Sequence, residues 1–139
     1  MQKINLILAF IFISMSVALA QSSKRSSAKY GGTKSNPRLI ELSNLAGDSE
    51  GCVKRGPYVG KLVQRKFDDD EITLIGFVLR DSKDERTYIN LDDEQIDRML
   101  MVDRSYLSKF LAKGKQVKVW VYVCGAAGRV LYADRIVAL

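Results

Sequence analysis

The clearest alternation of hydrophobic and polar positions lies near the C-terminus. From residue 117 to residue 123, valine occupies every second position, and the remaining positions to residue 124 hold Lys118, Trp120, Tyr122 and Cys124. Strict alternation of this kind is typical of a β-strand with one face in a core. We therefore predict a strand here, with the valines inside and the other four side chains outside.

Four further segments have the apolar and β-branched content of strands. They are residues 58–67, 72–80, 87–91 and 129–139. The second is almost entirely apolar, which predicts a central strand covered on both faces. Polar or glycine-containing turns separate these segments and indicate antiparallel connections. The turns are residues 68–71, 81–86 and 125–128.

Between the third and fourth predicted strands, the hydrophobic period changes from two to about 3.6, which indicates helix. Asp92 is placed to cap this segment, with Gln95 three residues later in the capping-box position. Gly114 is a typical C-terminal stop. One helix and two short helices both fit, because Asp103 and the residues after it offer a second cap.

The N-terminal residues 1–20 predict a signal peptide. Lys3 is followed by an apolar stretch, and Ala18-Leu19-Ala20 matches a cleavage site that would start the mature chain at Gln21. The alternative is a retained membrane helix, but an apolar stretch of roughly seventeen residues is at the short limit for a span. We expect a secreted or periplasmic protein without a membrane anchor after cleavage.

Residues 21–38 are rich in serine, glycine and lysine, and this composition predicts a flexible basic linker. They contain five lysines and arginines and no acid. Residues 39–139, the predicted folded domain, then hold 16 basic and 16 acidic residues, although the whole chain carries a charge of +6. A neutral domain disfavours a nucleic-acid groove. The linker itself remains a candidate tether to anionic lipid, glycan or nucleic acid.

The order strand, strand, strand, helix, strand, strand is that of the OB fold, a five-stranded Greek-key barrel. Residues 111–121, together with Cys124, Gly125, Gly128 and residues 134–136, resemble the closing hairpin of small OB-fold domains. Residues 77–81, which precede a second polar turn, show the same resemblance. The resemblance covers residues 53–139 and implies a mainly β barrel with a helix between strands three and four. It ties the chain to no single activity.

Cys52 and Cys124 are the only two cysteines of the chain. An exported protein meets an oxidising compartment, which favours pairing them. The OB resemblance implies the same, because the first and fourth OB strands pair antiparallel and would bring both residues to one end. We predict a structural disulfide.

The chain contains no histidine, which excludes histidine-based triads and histidine-ligated metal sites. The acidic residues 68–71 lack the spaced ligands and the glycine of a calcium loop and are interpreted as a solvated turn. No catalytic residue, metal or cofactor is predicted. The leading hypothesis is a non-enzymatic binding module. The alternative is an exported nuclease of the staphylococcal OB type, which needs acidic metal ligands flanked by arginines.

Two surfaces are candidates for binding. Lys118, Trp120 and Tyr122 form an outward stripe that needs a cover, either residues 39–45 or a partner protein or second copy. The face that OB domains use lies across their second and third strands. Its candidates in this chain are Thr73, Arg80, Tyr88, Asn90 and Arg129. Aromatic rings beside arginines can stack a sugar or a base.

Overall fold

The computed structural model describes residues 25–127 and 130–139. The predicted signal peptide lies outside the described residues. The strands are β1 Ser27–Gly32, β2 Pro37–Ser43, β3 Val53–Phe67, β4 Leu74–Arg80, β5 Arg86–Asn90, β6 Gln116–Cys124 and β7 Val130–Ala138. The helices are α1 Asp93–Asp97 and α2 Met101–Phe110, both between β5 and β6.

All seven strands belong to one sheet, in the order β1-β2-β7-β5-β4-β3-β6. An additional pairing of β6 with β7 closes five of them, β3, β4, β5, β7 and β6, into a ring. The pairing of β5 with β7, through Asn90 and Tyr132, is parallel, whereas the others are antiparallel. The predicted mainly β fold is confirmed.

The hydrophobic core fills the inner face of the ring. Val117, Val119 and Val121 of β6 are fully buried, as the alternation predicts, while Val123 is only partly buried. Phe77 of β4 packs into the same cluster. The helices and the turn between them also contribute buried residues to this cluster. These are Ile96, Met99, Leu107 and Phe110.

The helical region consists of two helices, which resolves the alternative that the sequence leaves open. Asp92 caps α1, since its carboxylate accepts a hydrogen bond from the Gln95 backbone N–H at 3.3 Å. The cap residue of α2 is Leu100, which makes no side-chain cap bond. Asp103 lies inside α2 and is buried, so it does not act as the second cap.

Two strands start two or more residues away from the predicted position, each for a local reason. Strand β3 begins at Val53, five positions before the predicted start, because its first residues pair with the end of β6. Strand β4 begins at Leu74 rather than at Ile72. The Asp70 carboxylate accepts hydrogen bonds from the backbone N–H groups of Ile72 and Thr73, at 2.9 and 2.8 Å, and holds both in the turn.

Of the predicted flexible linker, residues 21–38, the structure describes residues 25–38, of which Ser27–Gly32 form β1 and residues 37 and 38 begin β2. Strand β1 pairs antiparallel with β2, and β2 pairs in turn with β7. The side chain of Tyr30 also contacts helix α2. Composition alone underestimates the order of this segment. Its side chains bury little surface, but its hydrogen bonds to β2 and the Tyr30 contact offset the entropy lost on ordering. Residues before position 39 are therefore part of the sheet.

Candidate binding cleft

The disulfide between Cys52 and Cys124 is formed, as predicted. Its Cα atoms are 4.5 Å apart, and it joins the segment before β3 to the last residue of β6. Val53 and Val123 are paired beside it, so the first and fourth strands of the ring are antiparallel neighbours. The bridge fixes one end of the ring, and both cysteines line a cleft there.

The cleft has a volume of about 570 Å³, which is within the range of small-ligand sites. One wall is formed by Asn90, Tyr122 and Tyr132 on the outer face of the sheet. The opposite wall is formed by residues 46–49 and by residues 92–94 at the start of α1. Sheet and helix thus enclose the site from two sides.

Strand register brings the three residues of the sheet wall side by side. Asn90 of β5 pairs with Tyr132 of β7, and Tyr132 pairs with Tyr122 of β6. Paired residues lie on the same face of a sheet. The flanking residues Ile89 and Ala133 are fully buried, so the wall residues point outward.

Tyr88 extends this aromatic surface along β5. It lies two residues before Asn90 on the same outer face. Its ring rests on Gly76 of β4, where an added Cβ would come within 2.6 Å of the Tyr88 hydroxyl oxygen. The Lys66 ammonium lies 5.2 Å from the ring centroid. Gly76 therefore provides the space in which a tyrosine can lie against the sheet.

The loop wall is held in place by hydrogen bonds to helix α1. The Gly47 backbone N–H donates to the Asp92 carboxylate at 2.9 Å, and the Gln95 side-chain amide donates to the Asn44 carbonyl at 2.8 Å. A Cβ on Gly47 would lie 2.6 Å from the Asp92 Oδ2 atom, so the close approach requires glycine. The cleft is bounded by anchored backbone.

The rim of the cleft is acidic. Asp48, Asp92, Asp93 and Glu94 line it, and no lysine or arginine does so among the described residues. Burial raises the pKa of the Asp93 carboxyl, and the negative charges of Asp68, Asp92 and Asp97 raise it further. This electrostatic environment disfavours a phosphate-rich ligand and suits a neutral or cationic one.

The structure separates the predicted site residues into groups. Tyr122 and Asn90 meet in the cleft, with Tyr88 beside them, although the sequence places Tyr122 on a different surface. Thr73 lies in the β3–β4 turn and binds the Asp70 carboxylate. The remaining candidates lie elsewhere: Arg80 at the opposite end of β4, and Lys118 and Trp120 further along β6. Arg129 lies outside the described residues.

Tyr132 is the cleft residue that sequence analysis missed. It lies in a strand of mixed composition whose inward and outward positions show no clean alternation. A β-bulge between Trp120 and Val121 shifts the register of the β6–β7 pair. Only the register with β6 reveals that two tyrosines are adjacent.

Arg135 of β7 contacts Trp120 directly, and residues 39–45 contribute to its cover only through Glu41. A partner protein or second copy over this stripe stays a prediction. The Arg135 guanidinium of β7 lies 4.6 Å from the centroid of its ring. Arg135 also donates a hydrogen bond to Glu41 at 2.9 Å, and Glu41 forms an ion pair with Lys29 at 3.5 Å. Residues 39–45 instead extend the sheet beside β7 and direct leucines into the core. The Trp120 indole is half-buried, and Arg135, Glu41 and Lys29 form a ladder of alternating charges over it.

In residues 25–127 and 130–139, no group of three or more histidine, cysteine, aspartate or glutamate side chains is placed to hold a metal ion. No helix in this part of the chain is long and apolar enough to cross a membrane.

Comparison of the chain with protein-family models, with curated proteins and with solved structures found no match.

Proposed function

We propose that the protein is a non-enzymatic binding module of OB type that takes a neutral oligosaccharide in the cleft. The ring supports the OB assignment. Taken in chain order, its strands are arranged first, second, third, fifth, fourth, and the fourth returns to the first. The helices lie between the third and fourth strands, where an OB barrel carries its helix.

The position of the cleft supports the same assignment. OB domains bind oligosaccharides and oligonucleotides on strands two and three, between the loops that follow strands one and four. In this chain, those strands are β4 and β5, which supply Ile75 and Asn90 to the cleft. Cys124 at the end of β6 lines it, and Asp68 in the β3–β4 turn is close enough to Asp93 to affect its pKa.

The adjacent Tyr122, Tyr132 and Asn90 are the observation that carries the proposed ligand class. Tyrosine rings offer flat apolar faces to the C–H groups of a sugar, and their hydroxyls can donate and accept hydrogen bonds. The Asn90 amide donates to the Leu131 carbonyl at 3.2 Å, which orients its oxygen for a ligand. Nucleic acid fits less well, because its phosphates would meet the acidic rim.

Secretion or periplasmic export belongs to the same proposal. A signal peptide at residues 1–20 would deliver the domain to an oxidising compartment, in which the Cys52–Cys124 bridge is stable. Oligosaccharides are abundant at cell surfaces, so a small disulfide-bonded binding domain in that location has accessible ligands.

Calorimetry with a panel of neutral hexasaccharides (cello-, malto-, xylo- and chito-oligosaccharides) tests the proposal. We expect at least one to bind, and Tyr132→Ala to weaken that binding about tenfold or more through loss of ring contact. Tyr106→Phe, which alters a tyrosine away from the cleft, is the control. Absence of binding to every sugar, or equal affinity in the Tyr132 variant, would overturn the proposal.

The nuclease alternative has its own assay. A DNA duplex is incubated with the protein and Ca²⁺, with and without a chelator. Chelator-sensitive cleavage would contradict the non-enzymatic assignment. Intact DNA in both reactions is expected.

A further inference from the structure

We infer that a second surface, a row of cations formed by Lys61, Arg80 and Arg86, binds an acidic polysaccharide. The row lies on three neighbouring strands of the ring and is separate from the cleft. The inference goes beyond the proposed function and does not depend on it.

Strand register places these three cations directly opposite one another. Lys61 of β3 pairs with Arg80 of β4, and Arg80 pairs with Arg86 of β5. The next residues, Leu62 and Leu79, are buried in the core, so the row faces solvent. Adjacent strands are about 4.8 Å apart, and three positive charges therefore lie in a line across the sheet.

This arrangement opposes folding, because like charges directly opposite on neighbouring strands repel. The only ion pair of the row within the described residues joins the Arg80 Nε atom to the Asp84 carboxylate at 3.5 Å. The Asp84 side chain is 83% exposed, so water and salt weaken the pair. Lys61 and Arg86 form no ion pair with the described residues. An external anion would neutralise the positive charges of the row that have no partner within the described residues.

The loop between α2 and β6 brings two more cations to the row. The Gly114 N–H donates to the Leu62 carbonyl at 2.7 Å, and the Leu62 N–H donates to the Lys115 carbonyl at 2.8 Å. Lys113 and Lys115 flank Gly114 and are exposed, so both lie close to Lys61. These two backbone hydrogen bonds fix the loop next to the row.

The nearby carboxylates only partly offset these charges. Asp81, Asp84 and Glu85 lie in the β4–β5 loop, next to Arg80 and Arg86. The Asp81 carboxylate accepts hydrogen bonds from the backbone N–H groups of Lys83 and Glu85, at 2.8 and 2.9 Å, which shape that loop. Lys83 lies in the same loop and is exposed. Six cations and three carboxylates leave the surface positive, on the side of Lys61 and Lys115 in particular.

The chemistry of the row favours an acidic polysaccharide over other polyanions. The row itself contains no aromatic side chain. Tyr88 lies two residues after Arg86 on the same face, but its ring already rests on Gly76 and beside the Lys66 ammonium, so the bases of single-stranded nucleic acid would find little stacking there. It contains no apolar side chain that could insert into a bilayer. Arginine forks bind carboxylate and sulfate groups bidentately, and a line of cations suits a linear polymer that crosses the strands.

Binding of heparin and of polygalacturonate to the folded protein, measured at low and high salt, tests this inference. We expect both to bind at low salt and to be released at high salt. The double variant K61Q/R86Q should lose about tenfold or more in affinity. It should also melt at a higher temperature than the wild type at low salt, because a repulsion has been removed. K34Q, in the β1–β2 turn, is the matched control.

Other results would overturn the inference. One is unchanged polysaccharide affinity in K61Q/R86Q. Another is tighter binding to a DNA duplex or to phosphatidylglycerol vesicles than to either polysaccharide, which would assign the row to a different partner. If the double variant does not fold, K115Q provides the test from the anchored loop, and equal affinity of K115Q and K34Q contradicts the inference.

Discussion

Tyr30 of β1 donates its phenolic hydrogen to the carboxylate of Asp103 in α2, and the two oxygens are 2.5 Å apart. The residues are 73 positions apart in sequence, and Asp103 is buried. The Tyr30 ring also packs edge to face on Tyr106, with 5.6 Å between centroids. Through this contact, the first strand is fastened to the second helix as well as to its neighbour β2.

Tyr30→Phe should destabilise the protein by about 1–2 kcal/mol, because it removes the hydrogen bond to the buried Asp103 carboxylate while keeping the ring. Urea unfolding followed by circular dichroism measures the change. Tyr106→Phe removes a hydroxyl from the other ring of the pair and serves as the control. An equal loss in both variants would contradict the assigned role of the Tyr30–Asp103 bond.

The same bond predicts a pH dependence. Burial and then the bond to Asp103 raise the pKa of Tyr30 above its usual value. A raised pKa means that the unfolded chain loses the proton first, so the contribution is full below about pH 10 and declines as pH rises. The stability difference between wild type and Tyr30→Phe should therefore shrink above about pH 10. A difference that stays constant across that range would be the opposing result.

Removal of the disulfide should cost about 4 kcal/mol on the chain-entropy account, because Cys52 and Cys124 are 72 positions apart. The double variant Cys52→Ser/Cys124→Ser avoids a free thiol, and its unfolding in urea can be compared with that of the oxidised wild type. The first residues of β3 should also exchange their amide hydrogens faster. A loss below about 1 kcal/mol would show that strand pairing alone closes this end.

Glu41→Gln should weaken the ladder that covers Trp120. The Arg135 hydrogen bond is the largest influence lowering the pKa of the Glu41 carboxyl, so the interaction stabilises the fold above the usual carboxyl pKa and is lost as pH falls. We expect a cost of about 1 kcal/mol at neutral pH. Trp120 is the only tryptophan, so its fluorescence reports the change directly. Unaltered acrylamide quenching of Trp120 would argue against a shared ladder.

Gly76→Ala should displace the Tyr88 ring, because the new Cβ would lie 2.6 Å from its hydroxyl and 2.9 Å from the Ile89 carbonyl. We expect a stability loss of about 1–3 kcal/mol and weaker sugar binding beside the cleft. Gly51→Ala is the control, since Gly51 has a φ of 76° but no atom within 4 Å of an added Cβ. Comparable sugar affinity in both variants would show that Tyr88 has no part in binding.

Local patterns were sufficient to predict the parts of the fold that depend on them. The valines of β6 alternate because one face of that strand is core, and the alternation is visible without any partner strand. The Cys52–Cys124 bridge follows from cysteine number and strand order. Asp92 and Gln95 form a cap whose spacing is fixed by helix geometry.

The cleft and strand β1 depend on distant partners and were less accessible to prediction. Tyr132 becomes a neighbour of Tyr122 only after the β6–β7 bulge sets the register. Ser27–Gly32 contains little that could be buried, and its order comes from β2 and from Asp103, far along the chain. Arg135 was not recognised as the cover of Trp120 for the same reason.

Strand β7 meets two different strands along one of its edges, β5 at Tyr132 and β2 at Ile136 and Val137. The contact with β5 is a single paired residue, so the hairpin of β1 and β2 covers the rest of that edge. A chain that lacks residues 1–43 would have unpaired N–H and C=O groups along the C-terminal half of β7, next to an apolar core. Bare strand edges pair with other chains, and such a truncated form should aggregate edge to edge. The N-terminal hairpin thus covers an edge of the sheet that would otherwise be open to pairing with other chains.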